Sequence, residues 1–467
     1  MTKRLYIETI GCQMNVLDSE LIVSGLVQAG YELVDSPRNA DTILYNTCSV
    51  RQHAEDKIYS ALGRLRPLKE RKPETIIGVL GCMAQKDQAL IFRRASHVDL
   101  VVGPGQLNRL PEILAEVASQ RYRQPRLEVS LDRLRAGRSQ VEESFARFDP
   151  PRPPRLRSSP FQAMVRIMFG CDKFCTYCIV PKVRGPEQSR PAGEIVEEVR
   201  RLAADGCLEI TLLGQTVNSY KDSSEGRSWR LSDLLARLNE IDGLRRIKFV
   251  TNYPRHMTDD LLQAVRDLPK VSPYLHVPAQ SGSNEQLKRM KRGYTVESYR
   301  EMIERIRAVV PGAAITSDFI VGFCGETEDD FQQSVELVRW ARFKNSFIFK
   351  YSERPGTKAA GAMPDDVPDD VKRRRNNELL AVQNAISLED NQPLAGTDVE
   401  VLVEGPSKSA QKRAAAIEEG AGDEAVQLVG RSVRDHIVVF DGPRTLIGQI
   451  LPVRIEKVDA FTLYGRV

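Results

Sequence analysis

GCDKFCTYC, residues 170–178, decides the reading of this chain. Its three cysteines are spaced CxxxCxxC and follow directly on a strand-like run, FQAMVRIM (161–168). Soft thiolates are the usual protein ligands of iron–sulfur clusters, and three at this spacing hold three corners of a 4Fe–4S cube. Cys171, Cys175 and Cys178 leave the fourth iron without a protein ligand. That position takes the amino and carboxylate groups of S-adenosylmethionine, bringing its sulfonium within reach of one-electron reduction to a radical. A structural zinc site competes with this reading, but it needs a second cysteine pair or paired histidines close by, and neither follows.

Downstream, β-rich runs recur as LEITLLG, RIKFV, PYLHVPA, AAITSDFIVGF and NSFIFKYS, with helical patterns between them. In 192–205 the apolar residues Ile195, Val196, Val199, Leu202 and Ala203 share one helical face, and Gly206 stands as a stop. Six βα repeats predict an incomplete (βα)6 barrel whose mouth lies at the strand C-termini. Upstream, residues 4–120 alternate LYIETI, DTILYN, TIIGVL and VDLVVG with helical patterns, as a parallel α/β sheet requires. Cys12, Cys48 and Cys82 each fall within three residues of a strand end. The carboxyl ends of parallel strands share one edge, so these three cysteines are expected to converge.

Between Arg121 and Ser158 stand ten arginines, no lysine, five acids and prolines at 125, 150, 151, 153 and 154. A segment so basic and Pro-broken reads as a solvated linker. A charged helical stretch at 368–390 leads to DVEVLVE, VQLVGRS, DHIVVF, TLIGQILPVRIEKV and AFTLYGRV, short strands with no helix between, as in a small five-stranded barrel. QKRAAAIEEGAGDEA (411–425) interrupts it as an exposed loop or short helix. The α/β multidomain chain is thus expected to divide into an N-terminal parallel α/β domain (1–122), the basic linker (123–158), the partial barrel (159–390) and the terminal barrel (391–467).

The composition, 41% hydrophobic and 28% charged, is that of a globular protein, and no apolar run is long enough to span a bilayer. The N-terminus lacks an apolar h-region, so a cytoplasmic chain with reduced thiols is expected. A net charge of +4, from 67 basic and 63 acidic residues, does not by itself identify a nucleic-acid binder.

GCDKFCTYC, with Phe174 and Tyr177 inside the loop, resembles the radical S-adenosylmethionine superfamily. LHVPAQSGSNEQLKRMKRGYT (275–295) and SDFIVGFCGETEDDF (317–331) narrow the likeness, together with ETIGCQMN, NTCSVR and GCMAQ. Over nearly its whole length the chain looks like the methylthiotransferases, most like the MiaB-type tRNA enzymes, and its terminal barrel is similar to a TRAM domain. The resemblance implies a second 4Fe–4S cluster on Cys12, Cys48 and Cys82, and two S-adenosylmethionine molecules consumed per turnover. One methylates sulfur held at the second cluster; the other yields the radical that attacks an aromatic C–H.

The implied reaction is methylthiolation at C2 of an isopentenyl-modified adenosine beside the anticodon, on the tRNA anticodon stem-loop. An electron donor such as flavodoxin or ferredoxin is implied, no membrane is involved, and a monomer is expected. Threonylcarbamoyl-adenosine or a ribosomal-protein aspartate are the alternative substrates within the same chemistry. A non-catalytic cluster-bearing RNA-binding or electron-transfer protein is the alternative outside it.

Gly214, Gln215 and Asn218 in LLGQTVNSY stand where the superfamily has a motif near the methionine end of the cofactor. Gln280, Ser281 and Asp318 complete the cofactor-binding candidates. Asp318, just before FIVGF, suits a polar contact, whereas His276 beside an apolar strand reads as structural. Cys207 and Cys324 read as structural thiols, Cys324 standing where the family usually has proline. On the terminal barrel, Lys408, Lys412, Arg413, Arg431, Arg434 and Arg444 offer charge to RNA, and Phe440, Phe461 and Tyr464 are its few aromatics.

Overall fold

The computed structural model describes residues 2–49, 52–119, 124–131, 151–223, 226–414 and 425–467. The chain forms two compact units, the first made of residues up to 174 with 178–230, the second of 175–177 with 231–467.

The first unit opens with β1 (Lys3–Ile10), β2 (Tyr31–Leu33), β3 (Thr42–Thr47), β4 (Ile76–Gly81), β5 (Leu100–Val102) and β6 (Arg126–Glu128). They form one sheet in the order β2-β1-β3-β4-β5-β6, parallel throughout. β3 and β4 are buried at every position, as central parallel strands covered on both faces must be. Ile43, Tyr45, Ile77 and Val79 pack there with Ile58, Leu62 and Met83. β2 and β6 are three-residue edge strands that a search for longer apolar runs passes over.

β6 lies inside the stretch read as a linker, and residues 151–158 correct that reading further. Arg152 and Arg157 are only 4% and 7% exposed. Arg152 pairs with Glu20 at 2.7 Å and with Glu198 at 2.9 Å. Ser158 gives its backbone N–H and its hydroxyl to the Glu20 carboxylate at 2.9 and 2.6 Å. A guanidinium with two carboxylates in reach is worth burying, where a solvated one is not. Residues 132–150 lie outside the described residues. The first unit also holds Gln162–Arg166 and Glu209–Leu213, paired in parallel across the helix Ala192–Ala204. Gly206, at φ 86°, closes that helix, with Cys207 N–H bonded back to Leu202 O at 2.9 Å.

In the second unit Tyr274–His276, Ala314–Val321 and Asn345–Lys350 form a parallel sheet. Leu275, Ile315, Phe319 and Ile348 lie buried on one face of it. The long helix Asp369–Asn391 crosses that side, Asn376 and Gln383 bonding the carbonyls of Ile348 and Phe343 at 2.9 and 2.7 Å. From the same helix Arg375 meets the buried Glu326 at 2.7 Å. Burial nonetheless pushes Glu326 up to about 7, against the Gly322 N–H and Arg375. A carboxyl whose pKa rises on folding binds extra protons in the native state, so its share of stability falls as pH rises from the ordinary Glu value to about 7. Glu326→Gln is expected to flatten the urea-unfolding stability across that window; an unchanged slope would show the carboxyl to be ionised throughout.

The C-terminal strands Asp398–Pro406, Val426–Ser432, Ile437–Gly442, Ile450–Val458 and Thr462–Arg466 close into a five-stranded barrel. Val401, Val403, Leu428, Val438, Phe440, Val453, Ile455 and Leu463 fill it. It is fastened within the unit by Asp435, which takes Lys248 at 3.1 Å and Arg431 at 2.9 Å. Arg246 adds an ion pair to Glu400 at 3.1 Å. No helix among the described residues is long and apolar enough to cross a membrane.

Candidate functional site

The register of the N-terminal sheet sets Ile10 beside Thr47 and Thr47 beside Gly81, each the last residue of its strand. Cys12, Cys48 and Cys82 follow one or two residues later, so all three leave the sheet at one edge. Cys12 is exposed; Cys48 and Cys82 are buried. Two of the three follow a glycine for a steric reason. A Cβ on Gly11 would lie 2.5 Å from Asn15 Oδ1, and one on Gly81 2.4 Å from Asn46 Oδ1.

Those two asparagines brace the edge. Asn15 Nδ2 donates to Asn46 Oδ1 at 3.2 Å and to Thr47 O at 3.3 Å, while Asn46 Nδ2 donates to Asn15 O and Ser19 Oγ, both at 2.9 Å. Cys12, the N-cap of helix Gln13–Gln28, is 3.2 Å from Asn15 Oδ1 through its sulfur. Gly81→Ala, at φ 88°, is expected to cost about 1–3 kcal/mol of stability, from strain and from the displaced Asn46. Chemical denaturation of the apo-protein measures it, and a change below about 0.5 kcal/mol would show that the edge relaxes freely.

Burial and a nearby charge act in opposition on the thiols of this edge. The Cys12 thiol is pulled down to about 6, first by the Cys48 thiol within hydrogen-bond reach and further by the charge of Arg184, against its burial. Burial pushes Cys82 up, with Arg184 opposing. Arg184 is itself buried, and burial works against its charge; Asp18, Cys82 and Cys12 outweigh that and hold it charged. Its Nη2 meets Asp18 Oδ2 at 2.8 Å, while Arg166 meets Asp18 Oδ1 at 3.1 Å from above the Phe169 ring. Arg184 Nη1 is a buried donor without a hydrogen-bond partner among the described residues.

Three thiols at one edge, two of them under the charge of a fixed guanidinium, suit an anionic metal–sulfur group better than three inert core cysteines. Among the described residues no three His, Cys, Asp or Glu side chains close to the spacing of a single ion. The fit therefore rests on the shared edge and the shared charge. Arg184 ends the short helix Val180–Arg184 that follows Cys178, and Ile179 and Val183 pack on Cys82.

Within the first unit, the Cys171 N–H bonds Gly185 O at 3.2 Å and its sulfur lies 3.4 Å from Thr216 Oγ1. Gly170 must be glycine, since its φ is 67° and a Cβ would fall 1.9 Å from Pro186 O. Gly214, after its strand, is packed so that a Cβ would meet Met168 Cγ at 2.3 Å. Gln215 Oε1 is buried without a partner among the described residues, and Asn218 is half-buried nearby in the chain. Within the second unit, Arg292 Nη1 donates to Cys175 Sγ at 3.2 Å. Arg292 is buried between Tyr253 and Tyr294, each ring centroid 5.2 Å away. A charge-assisted donor on Cys175 suits a thiolate ligand.

Elsewhere in this unit, Gln280 stands at φ 71° and exchanges backbone bonds with Asp318 and Ile320 at 2.8 and 3.0 Å. The Ser281 hydroxyl accepts from Ser283 N–H at 3.1 Å and lies 3.4 Å from Ser334 Oγ, so it braces its own loop. His276 Nδ1 lies 2.9 Å from Thr316 Oγ1 and Nε2 lies 3.4 Å from Asp318. Cys207 and Cys324 are buried, as structural thiols are.

Sequence reasoning missed Thr216, Arg184 and Arg292. The last sits in the quoted KRGYT run but carried no signal of its own. On the terminal barrel, Phe440 belongs to the core and is no stacking platform, whereas Phe461 and Tyr464 are 52% and 37% exposed. Arg431 is committed to Glu404 and Asp435. The Arg413 side chain lies outside the described residues.

Residues 4–103 match the Uncharacterized protein family UPF0004, and residues 165–338 match the Radical SAM superfamily. The chain is 59% identical, over 100% of its own length and 96% of the relative, to a tRNA-2-methylthio-N(6)-dimethylallyladenosine synthase of Rhodopirellula baltica. It is 44% identical, over 97% of both chains, to a protein of the same name from Syntrophotalea carbinolica. Among solved structures, the radical S-adenosylmethionine methyltransferase TsrM of Kitasatospora setae shares the fold, with a TM-score of 0.54, 13% identity, and 86% of this chain and 78% of that one covered. Full-length identity of this order, on a chain that carries the CxxxCxxC loop within the Radical SAM match and three cysteines at one edge of its N-terminal sheet, establishes that it belongs to the tRNA-2-methylthio-N(6)-dimethylallyladenosine synthase family of radical S-adenosylmethionine enzymes.

Proposed function

We propose that this enzyme installs a methylthio group at C2 of an N6-dimethylallyladenosine next to the anticodon of tRNA. In this reading Cys171, Cys175 and Cys178 hold the radical-generating 4Fe–4S cluster and Cys12, Cys48 and Cys82 hold a second one. The observation that carries it is the packing of Ile179 and Val183, directly after Cys178, against Cys82. One short helix thereby joins the loop of the first cysteine set to the edge of the second. An aromatic C–H offers neither an acidic proton nor a leaving group, so acid–base and nucleophilic groups have little purchase on it. When bound, the clusters and S-adenosylmethionine supply the one-electron chemistry and the methylated sulfur.

The chain's own residues hold and orient. Arg292 fixes Cys175, Thr216 approaches Cys171, and Arg184 stands charged beside Cys12 and Cys82. Gly214, Gln215, Asn218, Gln280, Ser281 and Asp318 are assigned to the cofactor's surroundings. The terminal barrel, 391–467, is assigned to the anticodon stem-loop, mainly through backbone and shape, since only two aromatics remain exposed among those named. The N-terminal domain is assigned to 1–122, the connecting segment to 123–158 and the radical barrel to 159–390. The enzyme works in the cytoplasm as a monomer, with flavodoxin or ferredoxin as electron donor.

The test is anaerobic incubation of the reconstituted protein with reductant, S-adenosylmethionine and dimethylallylated tRNA, followed by mass spectrometry of digested nucleosides. A methylthio-dimethylallyladenosine is expected. Formation of 5′-deoxyadenosine without it would assign the radical to another substrate.

A further inference from the structure

Two strands of the second unit, Arg246–Phe249 and Tyr274–His276, belong to different sheets. Asn252 joins their carboxyl ends. Its backbone N–H and its side-chain Nδ2 both donate to the carbonyl of His276, at 3.2 and 3.0 Å. That grip decides which way the amide faces, since only its NH2 end can donate to a carbonyl. Asn252 Oδ1 is therefore turned away from His276. It is buried, in a residue only 3% exposed, and has no hydrogen-bond partner among the described residues. A buried amide oxygen without a donor has lost its hydration for nothing, so native folds pair such atoms or keep them for a ligand.

The residues on either side narrow the choice. Thr251 stands at φ 66°, where a β-branched side chain is strained, and such strain gathers at ligand sites. Tyr253 donates its hydroxyl to the Arg292 carbonyl and lays its ring 5.2 Å from the Arg292 guanidinium, which in turn donates to Cys175 Sγ at 3.2 Å. Asn252 is thus tied through Tyr253 and Arg292 to a cysteine assigned to the radical cluster. It also lies just past strand carboxyl ends, where βα folds hold their ligands.

A neutral amide oxygen suits a neutral O–H or N–H, whereas a cation is held more strongly by a carboxylate. With its amino and carboxylate groups on the cluster, S-adenosylmethionine still carries such donors on its ribose hydroxyls and its adenine amino group. We propose that Asn252 is a further S-adenosylmethionine-binding residue, its Oδ1 accepting a hydrogen bond from a ribose hydroxyl or the adenine amino group. This rests on the radical-cluster reading above and adds a residue outside every motif on which that reading drew. Thr251 and Tyr253 position the amide; they do not touch the ligand.

Binding tests it separately from turnover. Radiolabelled S-adenosylmethionine is dialysed to equilibrium against the full-length chain, reconstituted anaerobically, with iron content and affinity for a fluorescein-labelled anticodon stem-loop measured alongside. Asn252→Ala should weaken S-adenosylmethionine roughly tenfold, the worth of one buried hydrogen bond, with iron and stem-loop affinity unchanged. 5′-Deoxyadenosine, which keeps the ribose and adenine without the methionine, should lose strength as a competitor in the same proportion. Asn252→Asp gives up the donor to His276 but keeps an acceptor, and should retain most of the affinity.

Unchanged S-adenosylmethionine affinity in the alanine variant leaves Oδ1 to water and overturns the proposal. Equal losses in the alanine and aspartate variants also overturn it, by reducing Asn252 to a brace for His276. So does a loss of stem-loop binding with S-adenosylmethionine affinity intact, which would give the residue to RNA. A wild type that binds no S-adenosylmethionine removes the radical-cluster reading and this inference together.

Discussion

Replacing Cys12, Cys48 and Cys82 together by alanine is expected to halve the iron, leaving about four per chain where the wild type holds about eight. Methylthio-nucleoside formation should vanish while 5′-deoxyadenosine is still produced. The same change at Cys171, Cys175 and Cys178 should also halve the iron but abolish 5′-deoxyadenosine. Iron analysis and nucleoside mass spectrometry on both variants, reconstituted anaerobically, separate the two sets. The asymmetry matters more than the loss, because only division of labour predicts one product without the other. Full iron in the N-terminal variant would show that the sheet edge holds no cluster, whatever its charge.

Asp18→Ala should carry the largest cost to the apo-protein. Its carboxylate is wholly buried and answers both Arg166 and Arg184, which are buried as well. Removing one partner of such a set leaves charges that water cannot reach, a penalty of about 3–5 kcal/mol. The Coulomb gain of the intact set offsets a desolvation cost of similar size, so its presence adds little net stability even though its disruption is expensive. Urea denaturation of apo-protein measures the loss, and a change below about 1 kcal/mol would show that water enters the cavity. Asp18→Asn keeps the shape and isolates the charge. Because Arg184 also faces Cys12 and Cys82, both variants should take up iron at the N-terminal set less completely than wild type.

How far the sequence could be read follows from where the information sits. Cys171, Cys175 and Cys178 stand out in the sequence because one loop supplies all three at the close spacing that a cluster would need. Cys12, Cys48 and Cys82 are scattered, yet each sits just past an apolar run, and parallel pairing aligns the ends of such runs. Arg184 and Arg292 gave no sign, being two among 67 basic residues with neither periodicity nor motif to separate them. What distinguishes them is burial against a carboxylate or a sulfur distant in sequence. Arg152 defeated the reading for the same cause: its neighbours in sequence spell a linker, and only Glu20 and Glu198 turn it inward. Phe440 shows the converse limit, since alternation identifies a barrel strand without saying which side faces the core.

That inward turn of Arg152 bears on how the N-terminal sheet can be handled and inherited. Glu20 is met by Arg152 and Ser158, and Asp18 by Arg166 and Arg184, all from chain beyond residue 150. A fragment ending at 122 would keep both carboxylates and lose every cation and hydroxyl that answers them. The sheet is therefore no free-standing module to be excised, grafted or shuffled between enzymes. It travels only with the strand and helix that neutralise it, and recombination within 123–158 would yield a soluble chimera only where the incoming segment restores those four partners.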